Sequence, residues 1–332
     1  MHDHNYHTST CVIPESTKFL NTKILEDRLG GRSSAVNIND YKMLNSNEFI
    51  NDILIEFYLN YWYTEKLSEE DRKRTYVFST YFYTTLAKSF NAFDYPAHFT
   101  ASQIRHEKVK KWTKNVDIFE KDFVFIPVNE NQHWFMAVIC FPNLSGKVNM
   151  KDGTPVNEPD DDAGRYVVPP IKSIAIGRNE SDPNTEDLWP CILILDSLSG
   201  GVRRARITAT LCDWLKQEYI AKYNGKIKDF SPQAIKGALI KLPQQPNYTD
   251  CGLFVIHFFK RFFERPIVDY TLPVRHLENW FSIDEVVKNC QKRRELSSII
   301  ISRMKNRGSI LPDDIKLPFL DFTDPKNTRL SN

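Results

Sequence analysis

The stretch Gln244-Gln245-Pro246-Asn247-Tyr248-Thr249-Asp250-Cys251-Gly252-Leu253 decides how the chain is read. A Pro-Asn turn and an acidic residue lead into Cys251-Gly252, which open an apolar and aromatic run from Leu253 to Phe263 with helical rather than alternating spacing. This puts a thiol at a helix N-terminus. There, unpaired backbone N–H groups and the positive end of the helix dipole favour the thiolate, the nucleophilic form of cysteine. Gly252 leaves room for a substrate backbone, and Gln245 stands where a turn folds its amide beside the sulfur. A cysteine heading an apolar helix is ordinarily just a small buried residue. It becomes a candidate nucleophile only when a base and an orienting carboxylate accompany it.

Working outward, residues 238–242 read as a short strand that delivers the chain to this turn. Cys191-Ile192-Leu193-Ile194-Leu195 is a continuous apolar run, as expected of a strand buried on both faces, and it ends in Asp196-Ser197. Residues 122–128 and 133–141 form a hairpin pattern around the turn 129–132, with His133 opening the second strand. Taken singly, an Asp at a strand end is often a cap, and a His beside a turn is usually solvated.

Farther out, Asn45 and Glu48 have capping-box spacing ahead of a helix from 48 to about 62. That helix turns Ile50, Ile53, Leu54, Phe57, Tyr58 and Tyr61 inward. Asp52 falls off the stripe and reads either as a solvated first-turn acid or as a contact for a basic partner. Residues 65–74 read as a charged loop and 77–90 as an aromatic-rich helix beginning at Ser79. The basic run 108–114 around Trp112 reads as a solvated helix face rather than a nucleic-acid surface. Helices follow over 207–223, from Cys251 to about Glu264, and over 283–304, the last carrying Lys292-Arg293-Arg294.

Three segments lack this patterning. Residues 1–34 are a polar lead-in, expected to be mobile, in which His2, His4, His7 and Cys11 do not by themselves make a metal site. Residues 143–189 are rich in Pro, Gly and Asp, and read as a disordered insertion within the domain spanning 35–305. Residues 306–332 read as a C-terminal tail. The composition is compatible with a sizeable core, at 41% hydrophobic and 13% aromatic in 332 residues. A net charge of +2 gives no field for nucleic acid or an anionic membrane surface. Six cysteines without CxxC spacing suggest a reducing compartment. With no run of about 20 apolar residues and no signal-peptide core, a soluble intracellular protein is expected.

His133, Asp196 and Cys251 each sit at a strand end or a helix start, where α/β folds present chemistry. In triad logic Cys251 attacks a carbonyl, His133 moves the proton and Asp196 orients the imidazole. Gln245 and the Cys251 backbone N–H are then the candidate oxyanion donors. Papain-like enzymes run Cys before His, an order this chain lacks.

Asn131-Gln132-His133-Trp134, Leu195-Asp196-Ser197-Leu198 and Gln245 through Gly252 together resemble the catalytic motifs of the SUMO-specific (sentrin, ubiquitin-like) cysteine proteases. Glu48-Phe49-Ile50-Asn51-Asp52 is similar to that family's substrate-binding entry helix, and the likeness covers about residues 35–304. The insertion at 143–189 resembles the branch that trims poly-SUMO chains. The implied fold is α/β (α+β), a cysteine-protease core of the papain-like superfamily with a central mixed sheet flanked by helices and the order His-Asp-Cys.

By this resemblance His133, Asp196, Cys251 and Gln245 are the catalytic set. Trp134 roofs a tunnel for the modifier's Gly-Gly tail, Phe49 stands where many members have Trp, and Asp52 meets a basic residue of the modifier. Glycine's lack of a side chain makes such a tail thin enough to pass between aromatic rings. No metal or cofactor is called for. SUMO, its conjugates and poly-SUMO chains are the implied partners, with no direct nucleic acid, no membrane and a monomeric state expected, and the nucleus, otherwise the cytoplasm, is the implied compartment. The alternatives are a protease for NEDD8 or another ubiquitin-like modifier, and a catalytically silent SUMO-binding scaffold. Deleting residues 145–187 should leave a soluble, cooperatively melting protein; loss of soluble protein on deletion would show that the insertion belongs to the core.

Overall fold

The computed structural model describes residues 20–29, 32–144, 148–149, 187–188, 190–198, 204–267, 270, 272–307 and 316–323. Strands β1 (Lys23–Leu29) and β2 (Arg32–Asn37) form an antiparallel hairpin, followed by α1 (Ile38–Lys42), α2 (Asp52–Tyr61), α3 (Glu69–Arg74), β3 (Thr75–Val77), α4 (Tyr81–Ala87) and α5 (Ala101–Val109). Next come β4 (Phe123–Glu130), β5 (His133–Cys140), the two-residue strands β6 (Val148–Asn149) and β7 (Asp187–Leu188), β8 (Cys191–Leu195), α6 (Arg204–Lys222) and β9 (Lys236–Ile240). Helices α7 (Cys251–Glu264), α8 (Asp284–Val287) and α9 (Gln291–Arg307) complete the order.

The central sheet runs β3-β4-β5-β8-β9. Its outer pairs are parallel and its inner pairs antiparallel, so it is mixed. The β4–β5 hairpin pairs Glu130 with His133, so its loop is only Asn131-Gln132. Both loop residues have positive φ, 53° and 63°, the conformation that suits the twist of a two-residue hairpin. That tight turn makes His133 the first residue of β5. Pro127 is tolerated in β4 because β3 pairs no farther than Phe125.

Side chains alternate across the sheet, and those of the three central strands β4, β5 and β8 are largely buried on both faces. Val124, Ile126, Val128, Phe135, Ala137, Ile139, Ile192 and Ile194 share one core cluster with Phe82 of α4 and Trp214 of α6. Phe125, Met136, Val138, Leu193 and Leu195 join α2 and α7 in the other. As the apolar run suggests, all five residues of β8 are buried.

Several expectations need correction. The lead-in does not extend to residue 34: Ile24, Leu25 and Val36 of the β1–β2 hairpin lie in the core. The three apolar residues of β1, Ile24, Leu25 and Leu29, do not alternate with its charges, so no strand pattern shows. The 1–19 stretch with His2, His4, His7 and Cys11, and most of the insertion, lie outside the described residues. Within the insertion, β6 and β7 pair antiparallel, and Leu144 near its start is buried.

The capping box forms at Asn37 and Asp40, ahead of α1, and not at Asn45 and Glu48. Helix α2 starts at Asp52, capped by the Asn51 side chain, which accepts from Leu54 N at 3.1 Å. The Asn51 amide also donates to Asp40 at 2.7 Å, which fixes the cap. Residues 65–74 are not all loop, since α3 has its own Ser68 cap. Residues 77–90 divide between β3 and α4. The helix expected over 283–304 is broken at Asn289 and Cys290, both at φ 51°. Within the tail, Asp321 exchanges backbone-anchored hydrogen bonds with Ser46 N and Asn45 Oδ1, and Leu320 is buried.

Candidate functional site

His133 opens β5, Asp196 follows β8 and Cys251 opens α7, so three elements deliver their ends to one place. His133 Nε2 lies 2.7 Å from Asp196 Oδ1, and that oxygen also accepts from Leu198 N at 3.0 Å. Asp196 is 4% exposed, so its carboxylate is held away from water. With Nε2 engaged, Nδ1 is the nitrogen left for Cys251, whose charge adds to that of Asp196 on this ring. Burial opposes charging of this imidazole. The hydrogen bonds and charges of Asp196 and Cys251 outweigh it and carry His133 up to about 9. A cationic imidazole beside the sulfur is the partner that a thiolate needs.

The loops behind these residues are tied together. Gln245 N donates to Ser197 O at 2.8 Å, Ser197 Oγ donates to Gln245 Oε1 at 2.7 Å, and Gln244 Nε2 donates to Asp196 O at 3.3 Å. Gln245 is 2% exposed and directs one Nε2 hydrogen to Asn247 O at 2.6 Å. Its amide is therefore rigid, with one N–H already committed within the turn.

Trp134 alternates with His133 across β5 and is 6% exposed, in the same cluster as Cys251, Ile50 and Leu54. Phe49 is 46% exposed just ahead of α2. Asp52 is not a free acid, because the Tyr81 hydroxyl donates to its Oδ2. The hydrogen bond, with burial behind it, pushes Tyr81 up to about 12. Tyr81 and Tyr248 are themselves largely exposed. Neither was singled out from sequence, where one exposed tyrosine looks like any other.

In the sequence Arg293 is simply one of three consecutive basic residues in the last helix. It is 2% exposed and pairs with Asp250 Oδ1 at 2.6 Å, directly before Cys251. A signal was available: Arg293 occupies the same helical stripe as Leu296, Ile300 and Met304, and a charge in a core stripe demands a partner.

Two other histidines can be compared with His133. His106 Nε2 meets Glu218 Oε2 at 2.7 Å beside a cavity of about 500 Å³ between α5 and α6, but no cysteine is among the described residues lining it. His257, buried within α7, is held neutral, lowered to about 2 by burial and then by Lys292, Arg261 and Lys260. Among the described residues no group of three or more His, Cys, Asp or Glu is placed to hold a metal ion.

Residues 48–295 match the model of the Ulp1 protease family, C-terminal catalytic domain. The chain belongs to the Ulp1 protease family. It is 33% identical to sentrin-specific protease 7 of Homo sapiens, over 79% of this chain and 26% of that protein. It is 30% identical to ubiquitin-like-specific protease 2 of Schizosaccharomyces pombe, over 71% of this chain and 34% of the relative. The chain thus spans about a quarter to a third of these relatives' length. A crystal structure of a de-sumoylating protease shares the fold, with a TM-score of 0.59 at 22% identity, covering 86% of this chain and 95% of that one. The architecture of this Ulp1 family member is therefore the mixed sheet flanked by helices that its motifs imply.

Gly252 shows how closely α2 and α7 are packed in this family member. A Cβ at Gly252 would lie 2.6 Å from Ile50 Cγ1 and 3.3 Å from Ile55 Cδ1. Gly252→Ala should cost about 1–3 kcal/mol by overpacking, and that penalty should be smaller in an Ile50→Ala background, which removes both of the clashing Ile50 atoms. Urea unfolding of the two single variants and the double variant checks this. An unchanged midpoint for Gly252→Ala would mean that the helices are free to separate there.

Proposed function

We propose that this chain is a cysteine isopeptidase that hydrolyses the bond between the C-terminal Gly-Gly of SUMO and a lysine amine, trimming poly-SUMO chains. The observation that carries the chemistry is the His133–Asp196 pair at 2.7 Å, with Cys251 among the groups that keep a proton on the same imidazole. Modifier choice rests on membership of the Ulp1 family and on likeness to proteins named sentrin-specific proteases. Chain trimming rests on the resemblance of the insertion, which interrupts the domain between β5 and β8. Resemblance to the family as a whole makes the nucleus the proposed compartment.

In the reaction the Cys251 thiolate attacks the glycine carbonyl and forms an S–C bond. Negative charge moves to the carbonyl oxygen, where the Cys251 N–H and the second N–H of the Gln245 amide would receive it. Collapse of that intermediate breaks the C–N bond as His133 gives its proton to the leaving lysine amine. Water, losing a proton to His133, then attacks the thioester and releases the modifier's carboxylate and the thiolate. Asp196 keeps the imidazole oriented throughout. Trp134 and the exposed Phe49 would flank the Gly-Gly tail. Asp52, with Tyr81, would meet the folded body of the modifier.

The leaving amine needs a protonated His133, and that proton is lost as pH rises through about 9. Hydrolysis of SUMO, NEDD8 and ubiquitin conjugates should therefore show SUMO cleavage alone, with kcat/KM falling on the alkaline side near pH 9. Asp196→Asn should lower the rate about 100-fold or more. It should also move the alkaline limb to lower pH, because the lost carboxylate is one of the two groups that raise the histidine. Cleavage of NEDD8 instead would transfer the mechanism to that modifier. SUMO binding without any cleavage, unchanged in Cys251→Ser, would replace the enzyme with a binding scaffold.

A further inference from the structure

We propose, on the reading of Cys251 as the nucleophile, that Arg293 is a positioning residue that locks the nucleophile turn to the entry segment through one buried guanidinium. Its two terminal nitrogens carry four hydrogens and meet four acceptors. Nη2 donates to Asp250 Oδ1 and to Glu48 O, each at 2.6 Å, and Nη1 donates to Asn45 O at 2.8 Å and Met43 O at 3.1 Å. Three of these acceptors lie in the segment that runs into Phe49 and α2. The fourth belongs to the residue before Cys251.

The constraint passes on from Asp250. Its Oδ2 accepts from Asn247 Nδ2 at 2.8 Å, and Asn247 Oδ1 accepts from the backbone N–H groups of Thr249 and Asp250, each at 3.0 Å. Asn247 O in turn holds the Gln245 amide at 2.6 Å. One side chain of α9 thus reaches the sulfur's helix, the candidate oxyanion donor and the wall that carries Phe49.

Charge gives Arg293 a second effect. Asp250 makes no side-chain cap to α7, so its carboxylate is not engaged by the helix N–H groups. An uncompensated carboxylate one residue from the sulfur would oppose a second negative charge there. Arg293 compensates it where both side chains are almost fully buried, at 2% and 4% exposure. Burying an ion pair is costly and is offset only by complete hydrogen bonding. Apolar packing would hold α9 in place equally well, but it would neither fix these four acceptors nor neutralise Asp250.

The full chain would be tested as Arg293→Lys, Arg293→Met and Asp250→Asn, each shown to be folded by circular dichroism and a cooperative melt. If Arg293→Met does not fold, the other two variants decide. The readouts are the pH dependence of Cys251 alkylation by iodoacetamide, and kcat and KM on a SUMO conjugate. Arg293→Met should move the rise of alkylation to higher pH, and Asp250→Asn should move it to lower pH. Opposite signs are the mark of a charge acting on the sulfur, which a purely structural clamp would not give. Arg293→Lys keeps the charge but cannot span four acceptors. It should alkylate nearly as wild type while losing about 100-fold in kcat/KM, the scale expected when reacting groups shift by ~1 Å. Folded variants with wild-type alkylation profiles and wild-type kcat would overturn the proposal. If the wild-type chain cleaves no modifier conjugate, the functional reading fails, while the alkylation profiles still decide the role of Arg293.

Discussion

Burial of α7 governs where the chemistry is placed. Ten of its fourteen residues are buried, from Cys251 through Phe259 and at Phe262, so the helix must lie against the sheet with α2 and α9 over it. Burying that much aliphatic and aromatic surface is worth many times the few kcal/mol by which a domain is stable. The first turn therefore cannot shift without disturbing the core. Cys251 inherits that fixed position, and the helix end brings unpaired N–H groups and a positive dipole to the sulfur.

Two polar constraints refine what burial sets coarsely. The two-residue turn at Asn131-Gln132 fixes the β4–β5 register and so the height of His133 at the sheet end. The ties between Ser197 and Gln245 hold the loop after β8 against the turn before α7, so Asp196 and Cys251 keep one geometry. Apolar packing and local hydrogen bonds therefore act on the same three residues from different elements. That agreement between levels is characteristic of a preorganised site.

Much of this was legible in the sequence because its signals were strong and local. The continuous run of β8, the β4–β5 hairpin and the apolar helix behind Cys251 each showed a clear period, and their ends supplied His133, Asp196 and Cys251. Weak or distant signals were lost. The apolar residues of strand β1 do not alternate with its charges, and Asn45 and Glu48 mimicked a cap while the real one formed at Asn51, where a second bond to Asp40 fixes it. The Arg293–Asp250 pair joins residues 43 positions apart, and no periodicity reports such a contact. Tyr81 meets Asp52 across 29 positions, which is equally invisible to spacing.

The most direct measurement of the central claim is reaction of the purified chain with SUMO carrying a C-terminal electrophile, followed by mass spectrometry of the adduct. A single covalent adduct mapped to Cys251, absent in Cys251→Ala and not formed with ubiquitin or NEDD8 equivalents, is the predicted result. No adduct from folded protein, or an adduct that persists in Cys251→Ala, would contradict it.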